Sequence, residues 1–357
     1  MKTKDTRRSG LKVVIVGGGS GTAVLADLLR PHGSIMATIQ STFDDGGHSG
    51  MLRKQYGIPA IGDLGKAILA LVDDKLRDGE LYKWLSYRHE RDGRHFDNTV
   101  GRNEFLAMSI LRRWAERGRR YPEALIEALD ALRKELGVEP EVLPVSLDEA
   151  HIKAFPKCRP STIKGQDTID NKFRHEDILD IELDPVPPAQ RPRLCERARE
   201  AILGCDALVF APGTFWGSKM APLRVEGFKE AVHKARKSGV LTALVINASR
   251  PSVWTGLEDP NACLERYSAS LSTSSRNVVL DAAFCNSSMP STAAAGLKWL
   301  EQKNEVPMRC VPSQFVREFI TGPFVDWTEN GPKHNELFAE ELMGWVDAHV
   351  SRRLTHP

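Results

Sequence analysis

Two adjacent carboxylates, Asp44 and Asp45, run straight into Gly46, Gly47, His48, Ser49 and Gly50, and an earlier glycine-rich run, Gly17, Gly18, Gly19, Ser20 and Gly21, precedes Thr22. Both stretches have a direct chemical use. Glycines let the backbone come close to a ligand, and free N–H groups at a helix N-terminus point at an anion, so Gly17 to Thr22 reads as a phosphate turn. Beside a phosphate, Asp44 and Asp45 could hold Mg²⁺, which binds through one or two carboxylates and completes its shell with water and phosphate oxygens. One of them could instead bind a sugar hydroxyl, and a plain polar turn is the third reading of the cluster. His48 is the histidine set within the glycine-rich loop, where an imidazole serves as base, as phosphate donor or as a positioning residue. Arg53 and Asp63 fall in the same segment, and Gly62-Asp63 reads as a helix start with Asp63 near the N-cap.

These residues need strands and helices to hold them. Val13 to Val16 is an apolar β-branched run of the kind buried on both faces of a parallel sheet, and Ala23, Val24, Leu25, Leu28 and Leu29 follow with helical spacing. Strand, glycine turn and helix thus come in order. A second strand over Ile35–Thr42 delivers Asp44 and Asp45 to the strand ends, where an open parallel sheet has its ligand crevice. Further strands are expected over Ala207–Phe210, Leu241–Asn247 and Val278–Phe284, with helices over Phe105–Trp114, Ala124–Leu136 and Leu337–Val350. Leu81–Val100 reads as helix followed by a polar, charged loop, and Ile152–Leu183 as short β segments with a hairpin around Gly165. After Phe210 the chain turns through Ala211-Pro212-Gly213-Thr214 towards Ser218, and Asn247 sits at the ligand-side end of its strand. The dinucleotide fingerprint is incomplete, since the sixth position of G-x-G-x-x-G is Thr22, and the P-loop fails, since Ala60 and Ala67 stand where it needs glycine and Ser or Thr.

Composition narrows the partners. The 357 residues, 41% of them hydrophobic, suffice for a sizeable core. No apolar run reaches transmembrane length and the first ten residues lack the apolar core of a signal peptide, so a soluble cytoplasmic protein is expected. A net charge of +2 makes no general case for nucleic acid or an anionic membrane. The six cysteines, at 158, 195, 205, 263, 285 and 310, form no C-x-x-C pair, so reduced thiols are expected rather than a zinc site or a disulfide framework.

Taken together, GGGSGT, DDGGHSGMLR and GDLGKAILAL resemble the family that contains 2-phospho-L-lactate transferase and the bacterial gluconeogenesis factor, and DDGG-x-SG-x-LR leans towards the latter. The resemblance implies an α/β fold with a Rossmann-like doubly wound parallel sheet, one domain over residues 11–350 between a flexible N-terminus and a short tail from 351. A small β-rich insertion at 151–185 would cover one side of the crevice, as a lid or as a surface ornament. It also implies a homodimer, and a nucleotide or nucleotide-sugar ligand held at the strand ends. Carried over position by position, Gly213, Thr214, Ser218 and Pro222 take a phosphate-binding role, Asn103 marks a helix start, and Asn286 matches a strand-end asparagine. The departures are Arg102 inserted before Asn103, Ala211 in place of glycine, and a segment after Asn247 that keeps only Thr255-Gly256 of the usual motif. At Lys333-His334-Asn335 relatives have Arg-His-Asp, so a charge contact with phosphate survives without bidentate geometry. Two functions follow. One is a nucleotide-diphosphate or nucleotide-sugar binding protein that regulates carbon or cell-wall metabolism. The other is a Mg²⁺-dependent transferase moving a phosphorylated group from a nucleoside diphosphate to an alcohol. NAD-dependent oxidoreduction is a weaker third, against which Thr22 argues.

Overall fold

Val13, Val14, Ile15 and Val16 are all buried, Val14 and Val16 in one apolar cluster and Val13 and Ile15 in the other, as a central strand covered on both faces requires. In the computed structural model, which describes residues 10–91, 94–172, 177–187, 190–251, 260–272, 280–290 and 295–355, this strand lies in the middle of a seven-stranded parallel sheet. The strands are β1 (Val13–Gly17), β2 (Ile35–Gln40), β3 (Glu141–Pro144), β4 (Ala207–Phe210), β5 (Leu241–Val245), β6 (Leu280–Asn286) and β7 (Val316–Gly322). Across the sheet they run β3-β2-β1-β4-β5-β6-β7. The order reverses between β1 and β4, and at such a switch point the chain leaves neighbouring strands in opposite directions and opens a crevice. This is the Rossmann-like doubly wound arrangement that the motifs imply.

Helices cover both faces. On the Val13 and Ile15 side lie α1 (Gly19–Leu29), α3 (Gly62–Ala70), and the helices Gly101–Glu116, Ala124–Glu135 and Glu336–Thr355. Between α1 and α3 comes α2 (Gly47–Tyr56). The opposite face is covered by Glu196–Gly204, Phe228–Lys237, Pro260–Leu271 and the β-rich insertion. No helix among the described residues is long and apolar enough to cross a membrane.

Three local expectations change. Past the helix Glu80–Ser86 the chain is not a loop but an antiparallel pair, Arg88–Arg91 with Arg94–Val100. The insertion is a three-stranded sheet in which Ala150–Pro156 is central, flanked by Ile163–Lys164 and Ile178–Pro185. Gly165, at φ +97°, therefore does not turn a hairpin; its N–H donates to the Ile152 carbonyl and the chain continues into a π-helical turn, Thr168–Lys172. At the C-terminus the last helix runs on to Thr355, so the segment from 351 is helical to that point. Residues 1–9 of the expected flexible start, 1–10, and the Thr255-Gly256 echo lie outside the described residues.

The edge of the sheet is fastened by aromatic contacts. Phe284 of β6 meets Phe324, Phe338 and Trp345 with ring centroids 6.2, 5.8 and 6.0 Å away, which joins β6 to the C-terminal helix. Truncating this buried ring should leave a cavity, and Phe284→Ala is expected to lose about 3–5 kcal/mol in urea unfolding, with the C-terminal helix the first element to lose hydrogen-exchange protection.

Candidate functional site

The turns after β1 and β4 meet at the switch point. Gly19 takes a left-handed φ of +69° that starts α1, and a Cβ at Gly21 would overlap the carbonyl oxygen of Pro212, so the two turns pack backbone to backbone. Gly213 is pinned from both sides by Asn247, whose Oδ1 accepts its N–H at 3.2 Å and whose Nδ2 donates to its carbonyl at 2.7 Å. Ser218 fills the space between: a Cβ on Gly213 would come within 2.8 Å of its Cβ, and one on Gly19 within 3.4 Å of its Oγ. That hydroxyl is 3.2 Å from Thr214 Oγ1. Thr22 is fully buried and braces the first turn, its Oγ1 donating to the Gly18 carbonyl at 3.3 Å. Gly17 leaves room for that hydroxyl and for Ala211. Ser20, Gly21, Pro212, Thr214 and Asn247 together line one end of a cavity of about 780 Å³.

The acidic residues gather at the N-terminus of α1. Asp63 is buried and its Oδ2 accepts the Gly19 N–H at 2.6 Å, so an internal carboxylate takes the place expected for a ligand anion at the α1 N-terminus; Lys66 pairs with Oδ1 at 3.0 Å. Asp44 is pushed up to about 6, first by burial and then by the negative charge of Asp63, while the Gly46 N–H, bound to Oδ1 at 3.0 Å, and Lys66 oppose the shift. Asp45 turns towards the insertion. Its Oδ1 accepts the Asp167 N–H at 2.9 Å and its Oδ2 lies 3.6 Å from His151 Nδ1, so the adjacent carboxylates point to different partners. Arg53 is buried and donates to the carbonyls of Asp44 at 3.0 Å and Ala150 at 3.0 Å; burial lowers its pKa against the pull of Glu149, Asp45 and Asp44. Among the described residues no group of three His, Cys, Asp or Glu side chains is arranged to hold a metal ion.

His48 is engaged at both ring nitrogens. The Val100 N–H donates to Nδ1 at 3.1 Å, which leaves the proton on Nε2 for donation to Glu104 Oε1 at 2.9 Å. This arrangement fastens α2 to the start of the helix Gly101–Glu116, the positioning role among those open to His48. Ser49 packs on Gly62, and Asn103 lies beside them, buried, with no hydrogen-bond partner for Oδ1 among the described residues. The inserted Arg102 covers Gly65 and is pushed down to about 10 by burial and then by Arg88. Asn286 is saturated: its Oδ1 accepts the Ser288 N–H, the Ser288 hydroxyl and the Val325 N–H, and its Nδ2 donates to the Ser288 carbonyl. Pro222 opens the short turn Ala221–Leu223, and Lys333 and His334 reach the far rim of the cavity.

Two further features frame the crevice. The tip of the insertion straddles the crevice: a Cβ on Gly46 would come within 2.8 Å of Asp167, and one on Gly217 would overlap Gln166. The insertion is therefore packed across the strand ends, as a cover would be. Lys219, set within the apolar stretch Phe215-Trp216-Gly217-Ser218-Lys219-Met220, is buried under the cavity. A lone cation inside an apolar segment was its visible signal.

Two backbone turns meeting at the switch point, beside a cavity and a carboxylate cluster, define a doubly wound α/β protein with a crevice at the strand C-terminal ends. More narrowly, the chain belongs to the CofD family: the family model described as 2-phospho-L-lactate transferase CofD matches residues 13–313. A Thermotoga maritima protein named "Putative gluconeogenesis factor" is 30% identical over 261 residues, 72% of this chain and 75% of that protein. One of the same name from Aquifex aeolicus is 28% identical over 320 residues, 87% and 88% of the two chains. A crystal structure of a Bacillus halodurans protein of the UPF0052 family shares the fold, with a TM-score of 0.76 at 22% identity over 94% of this chain and 99% of that one.

Two outcomes are expected. Gly21→Ala should separate the turns and lower the melting temperature by an amount corresponding to about 1–3 kcal/mol, whereas Gly204→Ala, where a Cβ meets nothing within 4 Å, should change it little. For Asp44 the folded pKa of about 6 lies above its ordinary value of 3.8, so the folded state holds the extra proton between these values and loses stability as the pH rises through 6. Asp44→Asn, which keeps an acceptor for Gly46, should therefore be more stable than the parent by up to about 3 kcal/mol at pH 8, with the difference gone below pH ~4 in denaturation curves.

Proposed function

We propose that the protein binds a nucleoside diphosphate or nucleotide sugar across the switch point and acts as a binding protein of the gluconeogenesis-factor type, in the regulation of carbon or cell-wall metabolism. The observation that carries this reading is the backbone contact of the Gly21 and Pro212 turns, which open into one cavity of about 780 Å³. In this reading the N–H groups of Ser20 and Gly21 and the hydroxyls of Thr214 and Ser218 bind the diphosphate, and the attached group extends into the cavity. The names of the relatives support the regulatory half, and the engagement of both His48 nitrogens within the protein favours binding over acid–base turnover.

A second reading has one observation in its favour. Asp44 and Asp63 concentrate negative charge beside the first glycine turn, with Lys66 the cation that pairs with Asp63, and a phosphate arriving there would add more. Asp44 suits a Mg²⁺ ion, and Asp45 would contribute through a carboxylate already shared with the insertion. Bound there, Mg²⁺ would neutralise charge developing on phosphoryl oxygens. The chain's own residues would orient the diphosphate, and the insertion would keep water from the acceptor hydroxyl.

A calorimetric and thermal-shift screen against UDP-, GDP- and ADP-linked ligands, free nucleotides and NAD, each with and without Mg²⁺, tests both. A ligand at 100 times its dissociation constant adds about 2.7 kcal/mol of stability. Metal-independent stabilisation by a UDP-sugar is the expected result. A Mg²⁺-dependent preference for a guanine nucleotide, abolished in Asp44→Asn, would favour transfer instead, and no response to any nucleotide would overturn both readings.

A further inference from the structure

A second pocket, of about 180 Å³, opens at the end of the sheet opposite the crevice: Val240, Asp281 and Arg317, which line it, stand where β5, β6 and β7 begin. Four cationic side chains, Arg236, Lys237, Arg317 and Arg353, and the imidazole of His233 surround one carboxylate there, that of Asp281. Asp281 is buried and both its oxygens are taken. Oδ2 accepts the Thr242 N–H and the Thr242 hydroxyl, each at 2.9 Å, and Oδ1 is shared between Arg236 Nη2 at 3.0 Å and Arg317 Nη1 at 3.2 Å. No other acid lines the pocket, and the next one along β7, Glu318, is paired with His349 Nε2 at 2.8 Å.

The plain reading of such a cluster is helix-end chemistry. The helices Phe228–Lys237 and Glu336–Thr355 carry Arg236, Lys237 and Arg353 in their last turns, where cations complement the negative end of the dipole. That reading does not absorb the charge. A helix end carries about half a negative charge, so two of them with Asp281 amount to roughly −2 against four cations. Lys237 and Arg353 have no carboxylate partner among the described residues, and the buried Nε of Arg236 has no hydrogen-bond partner among them. Gly239, at φ +96°, follows the first of these helices, and a Cβ there would come within 2.9 Å of Arg353 Nη1, so that guanidinium rests against the backbone of the turn. Three separate segments thus bring like charges together in one concave place, at an electrostatic cost that a bound anion would remove.

We propose that this pocket is a second binding site, for a phosphate-sized dianion: inorganic phosphate or the phosphoryl group of a small phosphomonoester. An excess of roughly two positive charges matches a dianion, and guanidiniums from three elements offer the planar forks that bind phosphoryl oxygens. Its volume is below the ~300 Å³ at which pockets begin to enclose drug-sized ligands, so a phosphoryl group fits and a nucleotide does not. No residue lines both this pocket and the cavity of the crevice, and the site does not rest on the nucleotide reading above. An anion held there would tie the helix Phe228–Lys237 and β7 to the C-terminal helix.

The test is titration calorimetry with inorganic phosphate and with glycerol phosphate, in about 150 mM sodium chloride, where diffuse attraction is screened beyond about 8 Å. Lys237 and Arg353 are exposed, so a Lys237→Gln/Arg353→Gln double variant should fold and, without ligand, melt at or above the parent temperature. The parent should bind at one such site per chain, and the double variant should lose about tenfold or more in affinity there. Tighter binding of phosphate identifies the free ion as the occupant and tighter binding of glycerol phosphate a monoester, each upholding the proposal. No saturable heat from either in the parent overturns it. Phosphate held by the crevice turns would respond the other way, weakened by Ser218→Ala and untouched by the double variant, and that pattern also overturns it. A double variant that melts well below the parent and binds phosphate equally well would make the cluster a helix-end device and reject the site. Should the double variant fail to fold, Arg317→Gln, whose side chain is 66% exposed, carries the same expectation.

Discussion

Gly21 lies against the carbonyl of Pro212 with no side chain between them, and most of the crevice follows from that contact. It brings the chain leaving β1 and the chain leaving β4 to backbone distance at the point where the sheet order reverses. A side chain at position 21 would push the turns apart and with them the hydroxyls of Thr214 and Ser218. Asn247 serves the same contact from the next strand, since its amide exchanges two hydrogen bonds with Gly213 and keeps the second turn from rotating away. Three adjacent strands thus contribute one rigid surface of N–H groups and hydroxyls.

Charge is divided unequally on either side of that surface. Asp44 and Asp63 crowd one side, where the shift of Asp44 records the strain of keeping two carboxylates close in a partly dry place. Lys219 and His334 line the cavity, where, among the described residues, the buried cation has no carboxylate partner. Neither arrangement favours the folded state by itself. Natural proteins stay near a stability threshold and tolerate such losses where a ligand or ion makes use of them.

The glycine turns and the strands that carry them were legible because glycine runs and buried β-branched runs leave local signals. Val13 to Val16, Ala207 to Phe210 and the glycines after them stand where the sequence places them. Orientation was not legible. Asp44 and Asp45 are neighbours in sequence, but the tip of the insertion, 122 residues beyond Asp45, takes the second carboxylate for itself. The partners of His48 come from Val100 and Glu104, and those of Asn286 from Ser288 and Val325, contacts that no local pattern announces. The pairing of Arg88–Arg91 with Arg94–Val100 had a signal that charge concealed: Asp92-Gly93 is a favoured hairpin dipeptide, set here among arginines and histidines that read as a solvated loop. Gly165 had the opposite fate, since a turn residue was read as a hairpin and tertiary contacts with Asp45 and Ile152 drew it into a different path.

The far wall of the cavity is built from the hairpin Val325–Thr328 and Gly331–His334, which follows β7 at the margin of the sheet and leads into the last helix. None of this hairpin lies within residues 13–313, where the family pattern is matched. Its two strands pair with each other, and the Val325 N–H ties it to Asn286 at the end of β6. On the proposed binding mode, changes in this hairpin would alter recognition of the attached group and leave the contacts of the β1 and β4 turns in place.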